Sequence, residues 1–324
     1  MSNFAIIPDS SCDMTRDLRE RFGIEDYLHG ILYKQDGSQL SANLDWDELD
    51  WDIGGPQEYY DSMKGHTKLY TTATPPLGHV YDVFEKYLRA GRDVLSISLS
   101  GGLSGSYSNT VKVAEDLQKK YPERKIFCID SKRYSTALTL LVIEACKKRK
   151  EGLTAEQTAA HLLSMRDTVH QMGSMNDLFF LVKTGRITNF KALFGSMIGL
   201  NIMADFSHTG MSQVCGKIKG QKDAIEATIA YMKETIEKPE EQIIFVAHTS
   251  RPVAAQLLKQ RIEETFHPAE LILTTVGPSC GASVGPGLCA AFYQGKPISQ
   301  DFSKETALME TCIANLAKKP KRSK

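Results

Sequence analysis

DVLSISLSGGLSGSY, residues 93–107, joins a short apolar run to a turn rich in glycine and serine. The apolar positions of the run are Val94, Leu95, Ile97 and Leu99, and those of the helical pattern after it are Val111, Ala114 and Leu117. The stretch predicts a buried strand that opens through glycines onto a helix N-terminus. In α/β proteins such a junction holds anionic groups, because backbone N–H groups point at the ligand and glycine lets it come close.

Four hydroxyl groups lie in or beside this turn, on Ser100, Ser104, Ser106 and Tyr107. Hydroxyl and backbone N–H groups at the opening of a helix converge on a carboxylate. Ser104 and Gly105 stand at that opening and are the first candidates for contact with a ligand, and Ser100 is the second choice. A plain helix N-cap is the alternative role for Ser104, and one residue can serve both.

Strands and helices alternate on either side of the turn. Strands are predicted at 4–7, 28–33 and 125–129, helices at 14–22, 77–90, 134–150 and 154–169, and a loop at 70–76. This alternation predicts an α/β lobe with a mostly parallel sheet and helices on its faces, over residues 1–170. Asp9, Ser10, Asp130 and Ser131 follow predicted strands, so polar groups gather at the carboxyl edge, where such sheets bind ligands.

The second half of the chain has a different pattern, which predicts a smaller α+β lobe over residues 171–276. Its strands are predicted at 196–206, 211–217, 242–247 and 270–276, and its helices at 221–237 and 252–266. The tetrapeptide SHTG between the first two strands is a hairpin signal. We expect the glycine-rich closing segment, 277–298, to join the first lobe and residues 299–324 to be a helical or disordered basic tail.

Composition excludes several classes of protein. Lys plus Arg and Asp plus Glu both number 39, so no overall field favours nucleic acid. Seven scattered cysteines without a CxxC pair argue against a disulfide framework and a zinc ribbon, and for a reducing compartment. No basic n-region follows Met1, and the longest apolar run, 137–146, is too short to span a bilayer. We therefore expect a cytoplasmic protein, with at most a transient membrane contact through the basic tail.

Five segments resemble the DegV family of fatty-acid-binding proteins, in the family's order and approximate spacing, from about Phe4 to about Ile298. They are DSSCD (9–13), similar to DS-x-x-D; TATPP (72–76), in the place of TSQPS; SGGLSGSY (100–107), similar to SS-x-LSGTY; LVKTGRI (181–187), similar to YLxKGGRI; and GP (277–278) with GPG (285–287), similar to GPVIGxHxGPG. The five together are much more specific than any one of them.

The resemblance implies a two-lobe fold in which a parallel-sheet lobe and a mixed lobe enclose one long acyl chain in a slot. It implies that hydroxyls and a histidine hold the carboxylate at the junction of the lobes. It also implies that the protein presents the bound acid to a kinase of the dihydroxyacetone-kinase type, which forms an acyl phosphate for phospholipid synthesis. The binding protein itself then supplies no catalytic residue and needs no cofactor beyond the bound fatty acid, and we expect a monomer.

Carried over residue by residue, the resemblance assigns ligand contacts to Thr72, Ser104 and Ser283, and places Arg186 near the ligand mouth or the phosphoryl-transfer site. Ser283 aligns with the family histidine, so the positive charge and the titration of that histidine are absent. Further departures are Gly101 for the second serine of the family pair, Asn201 for the lysine of its IKP segment, and Thr184 for the first glycine of KGGRI.

Each of these residues also has a purely structural interpretation. Thr72 can brace a proline turn, Ser283 can sit in a flexible loop, and Arg186 can form a surface salt bridge. Asp9 and Ser10 can brace neighbouring loops, and His248 after a strand is a structural histidine. The apolar residues that could line a slot, or form ordinary core, are Phe179, Phe180, Leu193, Phe194, Met197 and Ile198.

Two other functions stay open at the level of sequence. One is an esterase or thioesterase with Ser104 as nucleophile, although the turn lacks the full GxSxG elbow and no histidine follows His267. The other is an adaptor that senses lipid for a protein partner. A Rossmann oxidoreductase fits poorly because the glycines of the turn do not follow GxGxxG. Metal binding has no support, since the eight histidines do not cluster.

Overall fold

The computed structural model describes residues 4–41, 55–188 and 199–318. The chain divides into two compact units, one of residues 1–167 with 276–283 and the other of residues 168–275 with 284–324. Each unit has its own sheet and its own helices.

A three-stranded parallel sheet forms the centre of the first unit, in the order β1-β5-β6. Its register pairs Ile6 with Leu95 and Leu95 with Phe127, which places the apolar run identified above in the middle strand. The prediction of a parallel sheet with helices is confirmed for this unit. The strands of the first unit are β1 (Phe4–Pro8), β2 (Ile31–Tyr33), β3 (Gln39–Ser41), β4 (Thr71–Ala73), β5 (Asp93–Ser98) and β6 (Ile126–Asp130).

Two helices of the first unit, α1 and α6, begin at side-chain caps. Thr15 Oγ1 accepts from the Leu18 N–H at the start of α1, and Thr154 with Gln157 forms a capping box at the start of α6. The bounds are α1 (Arg16–Phe22), α2 (Pro56–Met63), α3 (Leu77–Arg89), α4 (Ser106–Lys120), α5 (Ser135–Lys150) and α6 (Ala155–Met165). Val80, Phe84 and Leu117 pack against Ile7 and Val94 in a buried core, so the apolar faces of α3 and α4 cover one face of the sheet.

The segment predicted as a loop at 70–76 contains a strand instead. β4 pairs antiparallel with β2 in a second sheet of order β3-β2-β4, with Thr72 opposite Leu32. Thr71 and Thr72 are β-branched and fit a strand. The strand is only three residues long and Pro75 and Pro76 follow it, so its pattern resembles that of a turn.

The second unit is built on a seven-stranded mixed sheet of order β12-β11-β13-β7-β9-β10-β8. The hairpin predicted at residues 207–210 joins β9 to β10, whose antiparallel pairing sets Phe206 opposite Ser212. The strands are β7 (Val169–Met175), β8 (Ile187–Thr188), β9 (Leu200–Phe206), β10 (Ser212–Lys219), β11 (Ile243–His248), β12 (Glu270–Thr275) and β13 (Leu288–Gln294).

The sequence pattern missed β7. The predicted helix 154–169 ends at Met165, and the buried strand starts at Val169. His170, Gln171 and Ser174 are polar but buried, so the strand has neither alternation nor a continuous apolar run.

In the described part of the second unit the α-helices are α7 (Phe179–Thr184), α8 (Gln221–Thr235), α9 (Pro252–Phe266) and α11 (Ser303–Lys318). The described part of the predicted basic tail is therefore helical. The closing segment 277–298, which we expected to join the first lobe, is divided: after α10 (Pro278–Val284), β13 pairs with β7 and β11 of the second unit's sheet. No helix in the described ranges is long and apolar enough to cross a membrane.

Candidate functional site

The serine turn is held rigidly at the carboxyl end of β5. Ser100 is fully buried, and its N–H donates to the Arg133 carbonyl at 3.0 Å. Its Oγ accepts from the Gly102 N–H at 3.2 Å, and its carbonyl accepts from the Leu103 and Ser104 N–H groups. These bonds brace the turn, and contact of Ser100 with a ligand, the second choice from the sequence, stays a prediction.

Ser104 stands directly before α4 and is half-buried. Its Oγ accepts from the Ser106 N–H at 3.2 Å and lies 3.0 Å from Ser106 Oγ. The N-cap of α4 is Gly105, without a side-chain cap bond, so Ser104 closes a short local turn before the helix and is not the helix N-cap considered above. Both hydroxyls remain within the same turn as the free N–H groups of α4, where the helix dipole favours a negative charge.

A buried carboxyl group lies at the same edge of the sheet, after β1. Asp9 Oδ1 accepts from the N–H and the Oγ of Ser11, at 2.9 and 2.8 Å. Burial raises the pKa of Asp9, and the bonds from Ser11 oppose that rise. Ser10 Oγ accepts from the Gly30 N–H at 3.3 Å. Both residues brace their neighbours, as one of the two interpretations from sequence proposed.

The TATPP segment packs against the start of α4. Asn109 Nδ2 donates to Thr74 Oγ1 at 3.0 Å and to the Pro75 carbonyl at 3.3 Å. A Cβ atom placed on Gly105 would lie 3.7 Å from Thr74 Cγ2. The first unit thus brings two of the five sequence motifs together. Thr72 is exposed on β4, and its hydroxyl makes no hydrogen bond within the described residues.

Gly101, where the family has a serine, has a carboxylate beside it. Its N–H donates to Asp130 Oδ1 at 2.9 Å, and a Cβ atom at this position would lie only 3.1 Å from Asp130 Oδ2. Asp130 also accepts from the Lys132 N–H at 3.0 Å, which fixes the carboxylate. A serine at position 101 would require the Asp130 carboxylate to shift by a few tenths of an ångström. Glycine at this position therefore fits the place that Asp130 occupies here.

Two further predicted contacts, Arg186 and Ser283, lie outside the serine turn and the TATPP segment. Arg186 belongs to the second unit, after α7, and its Nη1 donates to the Thr184 carbonyl. Gly185 ends α7 with φ of +69°, and Arg186 directly precedes β8. Ser283 is half-buried in the last turn of α10, and its hydroxyl makes no hydrogen bond within the described chain.

His248 ends β11 and is buried, and its Nδ1 accepts from the backbone N–H of Arg251 at 3.3 Å. Burial and the nearby charge of Arg251 lower its pKa. Asn201, which stands in place of the family lysine, accepts from Arg251 Nη2 at 3.2 Å. No pattern in the sequence points to Arg251, because its partners come from segments far apart in the chain.

The candidate slot residues are only partly covered by the structure. Phe180 is buried and Phe179 packs against it with ring centroids 5.2 Å apart. Leu193, Phe194, Met197 and Ile198 lie outside the described residues. Within the described ranges, no cluster of His, Cys, Asp or Glu has the arrangement of a metal site.

Comparison with known proteins settles the family. The sequence profile described as "Uncharacterised protein, DegV family" matches residues 3–296, which is most of the chain. This chain belongs to the DegV family. A DegV domain-containing protein of Clostridium perfringens is 25% identical over 295 residues, covering 91% of this chain and 98% of the relative. The Bacillus subtilis protein DegV is 23% identical over 286 residues, with 88% and 96% covered.

Solved structures of DegV proteins share the fold. A DegV family protein from Thermus thermophilus, described for its fatty acid binding, has a TM-score of 0.78 at 22% identity, over 90% of this chain and 99% of that protein. DegV from Bacillus subtilis, described as a fatty acid binding protein, has a TM-score of 0.74 at 23% identity, over 91% and 100%. The DegV fold implied by the resemblance is therefore confirmed.

Proposed function

We propose that this DegV chain is a non-catalytic carrier of one long-chain fatty acid or related lipid. The observation that carries the proposal is the contact of the TATPP segment with the start of α4, through Asn109 and Thr74. It joins the segment that bears Thr72 to the turn that bears Ser104, and both donors suit a carboxylate. Structures of several DegV relatives are described as fatty acid binding, which supports the same ligand class here.

Affinity and orientation come from different groups in this proposal. Each buried methylene of an acyl chain contributes about 0.8 kcal/mol, so the chain supplies most of the affinity. A few hydroxyl and N–H donors then fix the head group. We assign those donors to Thr72 and to the turn with Ser100, Ser104 and Gly105, with Ser283 as a further hydroxyl.

Delivery of the lipid is the second half of the proposal. The bound acid is presented to a fatty acid kinase of the dihydroxyacetone-kinase type, which forms an acyl phosphate for phospholipid synthesis, and Arg186 lies near the ligand mouth or the site of phosphoryl transfer. Because Ser283 stands in place of a titratable histidine, the head-group contacts keep the same charge through neutral pH. Carboxylate binding should therefore vary little between about pH 6 and 8.

Native mass spectrometry of the purified protein, followed by denaturing lipid extraction, tests the ligand. We expect a co-purified species with the mass of a long-chain fatty acid. After delipidation, titration with fatty acids of different length should show saturable binding of one molecule per chain. A protein that is empty when purified and that binds no added fatty acid contradicts the proposal.

Two further assays separate carriage from the other functions. Pull-down of a fatty acid kinase that depends on bound lipid, followed by acyl phosphate formation with ATP, supports presentation to the kinase. Lipid-dependent capture without phosphorylation indicates an adaptor.

Within the described residues, the only hydrogen-bond partners of Ser104 Oγ belong to Ser106, and no histidine forms a hydrogen bond with it. We therefore expect no turnover of acyl esters, and turnover abolished by Ser104→Ala would indicate an esterase.

A further inference from the structure

Arg251 lies between β11 and α9 and is held by three strands of the second unit. Its Nη1 donates to the carbonyl and the Oγ of Ser174, at 3.2 and 3.1 Å, and to the Gly287 carbonyl at 3.0 Å. Its Nη2 donates to Asn201 Oδ1 at 3.2 Å. Ser174 is on β7, Asn201 is on β9, and Gly287 precedes β13. The guanidinium therefore has a fixed position before any ligand arrives.

No carboxylate of the described residues pairs with the positive charge of Arg251. All four of its acceptor atoms are neutral oxygens, and it forms no ion pair within the described residues. Arg261 on the same helix provides the contrast, because it pairs with Glu226 and Glu264 at 2.8 and 2.9 Å. An anion bound beside a half-buried cation that lacks a counterion gains a charge-assisted interaction.

The groups nearest to Arg251 do not neutralise it. Burial raises the pKa of Cys289 to about 11, although the charge of Arg251 lowers it, so this thiol stays uncharged at neutral pH. Burial and the same charge lower the pKa of His248, which therefore stays uncharged there too. Neither group offers Arg251 a negative charge.

Two donors of Arg251 are open. A guanidinium has five N–H bonds, two on Nη1, two on Nη2 and one on Nε. Both N–H bonds of Nη1 donate to Ser174 and Gly287, and one N–H bond of Nη2 donates to Asn201. Nε–H and the second hydrogen of Nη2 have no acceptor among the residues that the structure covers. Two such donors on one planar guanidinium match the paired oxygens of a carboxylate or phosphate.

His248 adds a third open donor. Since its Nδ1 accepts from the backbone N–H of Arg251, the neutral ring carries its hydrogen on Nε2. This nitrogen makes no hydrogen bond in the described chain, and the side chain is 9% exposed. The positive end of the 15-residue helix α9 lies at the same place.

We propose that Arg251, with His248 beside it, forms an oxyanion-binding site at the start of α9 for a carboxylate or phosphate group. The group belongs either to the head of a bound acyl ligand or to a free phosphate. The site is defined within the second unit alone and does not depend on the proposed carrier function.

Calorimetric titration of the delipidated full chain with inorganic phosphate, and separately with myristate, tests the site. Arg251→Gln keeps a polar side chain and removes the charge, so we expect about tenfold or greater loss of affinity for at least one of the two probes. Arg251→Lys should retain part of the affinity because it keeps the charge. Arg261→Gln on the same helix is the matched control and should change neither titration.

The outcomes distinguish the source of the oxyanion. Loss of myristate affinity in Arg251→Gln assigns the site to the acyl head group, and loss of phosphate affinity alone assigns it to a free phosphate. Phosphate binding that depends on Arg251 in a protein that binds no myristate supports the site and contradicts the carrier function. If Arg251→Gln leaves both affinities unchanged, or if wild type binds neither probe, the proposed oxyanion site is wrong. This conclusion holds whether or not the protein carries a fatty acid.

A measurement on wild type covers the case in which Arg251→Gln does not fold. Arginine side chains labelled with ¹⁵N and ¹³C should show one resonance shifting as phosphate or myristate is added, and Arg251→Lys should lack that resonance. Saturable binding of either probe with no shift of an arginine resonance overturns the proposal.

Discussion

Asn109 Nδ2 donates to Thr74 Oγ1 at 3.0 Å, and this bond joins the first turn of α4 to the loop after β4. The same amide also donates to the Pro75 carbonyl at 3.3 Å. The two segments are 35 residues apart in sequence, and each bears one of the proposed head-group donors, Thr72 and Ser104. A single side chain thus keeps the two donors in one arrangement.

Replacing Asn109 by alanine should therefore weaken both stability and binding. The Asn109→Ala variant loses two hydrogen bonds, and we expect the free energy of unfolding to fall by about 1–2 kcal/mol. Fatty acid affinity should fall as well, because β4 is no longer tied to the helix. Urea unfolding and fatty acid titration measure the two effects. Ser108→Ala, an exposed neighbour on the same turn, is the control, and an affinity equal in both variants would contradict the positioning role.

Thr72 and Ser104 can be tested directly as carboxylate donors. Thr72→Val and Ser104→Ala each remove one hydroxyl, and we expect each to weaken fatty acid binding by about 1–3 kcal/mol. The free energy of unfolding should change little for Thr72→Val, since the side chain is exposed and makes no hydrogen bond within the described chain. Isothermal titration of delipidated protein gives the affinities.

Thr71→Val is the matched control for Thr72→Val. Thr71 is its exposed neighbour on β4 and its side chain points to the opposite face of the strand. The control should bind as wild type does. Unchanged affinity in both Thr72→Val and Ser104→Ala would rule out the assigned head-group site.

The first unit was largely predictable because its signals are local. Apolar spacing over 93–99 and 77–90 is sufficient to recognise a buried strand and an amphipathic helix, and Thr15 and Thr154 mark helix starts by residue type. β4 was not recognised, because three residues before two prolines read as a turn. The serine turn was found, since its glycines and hydroxyls are contiguous.

Features that depend on distant partners were not predictable. β7 buries His170 because Asp205, 35 residues later, supplies the partner for its ring. Arg251 is one cation among many in the sequence. Only the folded arrangement of Ser174, Asn201 and Gly287 around it shows that its partners in the described residues are neutral oxygens. In both cases the chemistry of the residue is set by backbone pairing, which local spacing does not reveal.

The pair of His170 and Asp205 predicts loss of stability in acid. His170 Nδ1 lies 2.6 Å from Asp205 Oδ2 and its Nε2 lies 2.8 Å from the Lys296 carbonyl, so each ring nitrogen has an oxygen partner. Burial raises the pKa of Asp205, but His170 and two backbone N–H groups outweigh it, and the net shift is downward. The ionised carboxylate therefore stabilises the fold above its unfolded pKa of about 3.9, and this contribution is lost as pH falls through the lower folded value.

Asp205→Asn tests this pair through guanidinium unfolding between pH 3 and 8. We expect the variant to be about 3–5 kcal/mol less stable at pH 7, because it removes one partner of a buried, hydrogen-bonded pair. The difference from wild type should begin to narrow below about pH 4, where the unfolded chain binds a proton at Asp205 while the folded carboxylate stays ionised. Glu240→Gln changes an exposed acid of the same unit and is the control. Its free energy of unfolding should differ from that of wild type by the same small amount at every pH. A difference between Asp205→Asn and wild type that does not change with pH would contradict the ion pair.

Gly285 opens the GPG motif and meets two constraints at once. Its φ is +69°, and a Cβ atom placed on it would lie 2.1 Å from Phe180 Cδ2. Gly285→Ala should therefore lose about 1–2 kcal/mol from the left-handed backbone and about 1–3 kcal/mol from displacement of a buried ring. Gly220→Ala isolates the backbone effect, because φ there is +85° and no atom lies within 4 Å of the added Cβ. Chemical unfolding of both variants should show the larger loss at position 285. Equal losses would mean that Phe180 moves aside freely, and that backbone geometry alone accounts for this glycine of the motif.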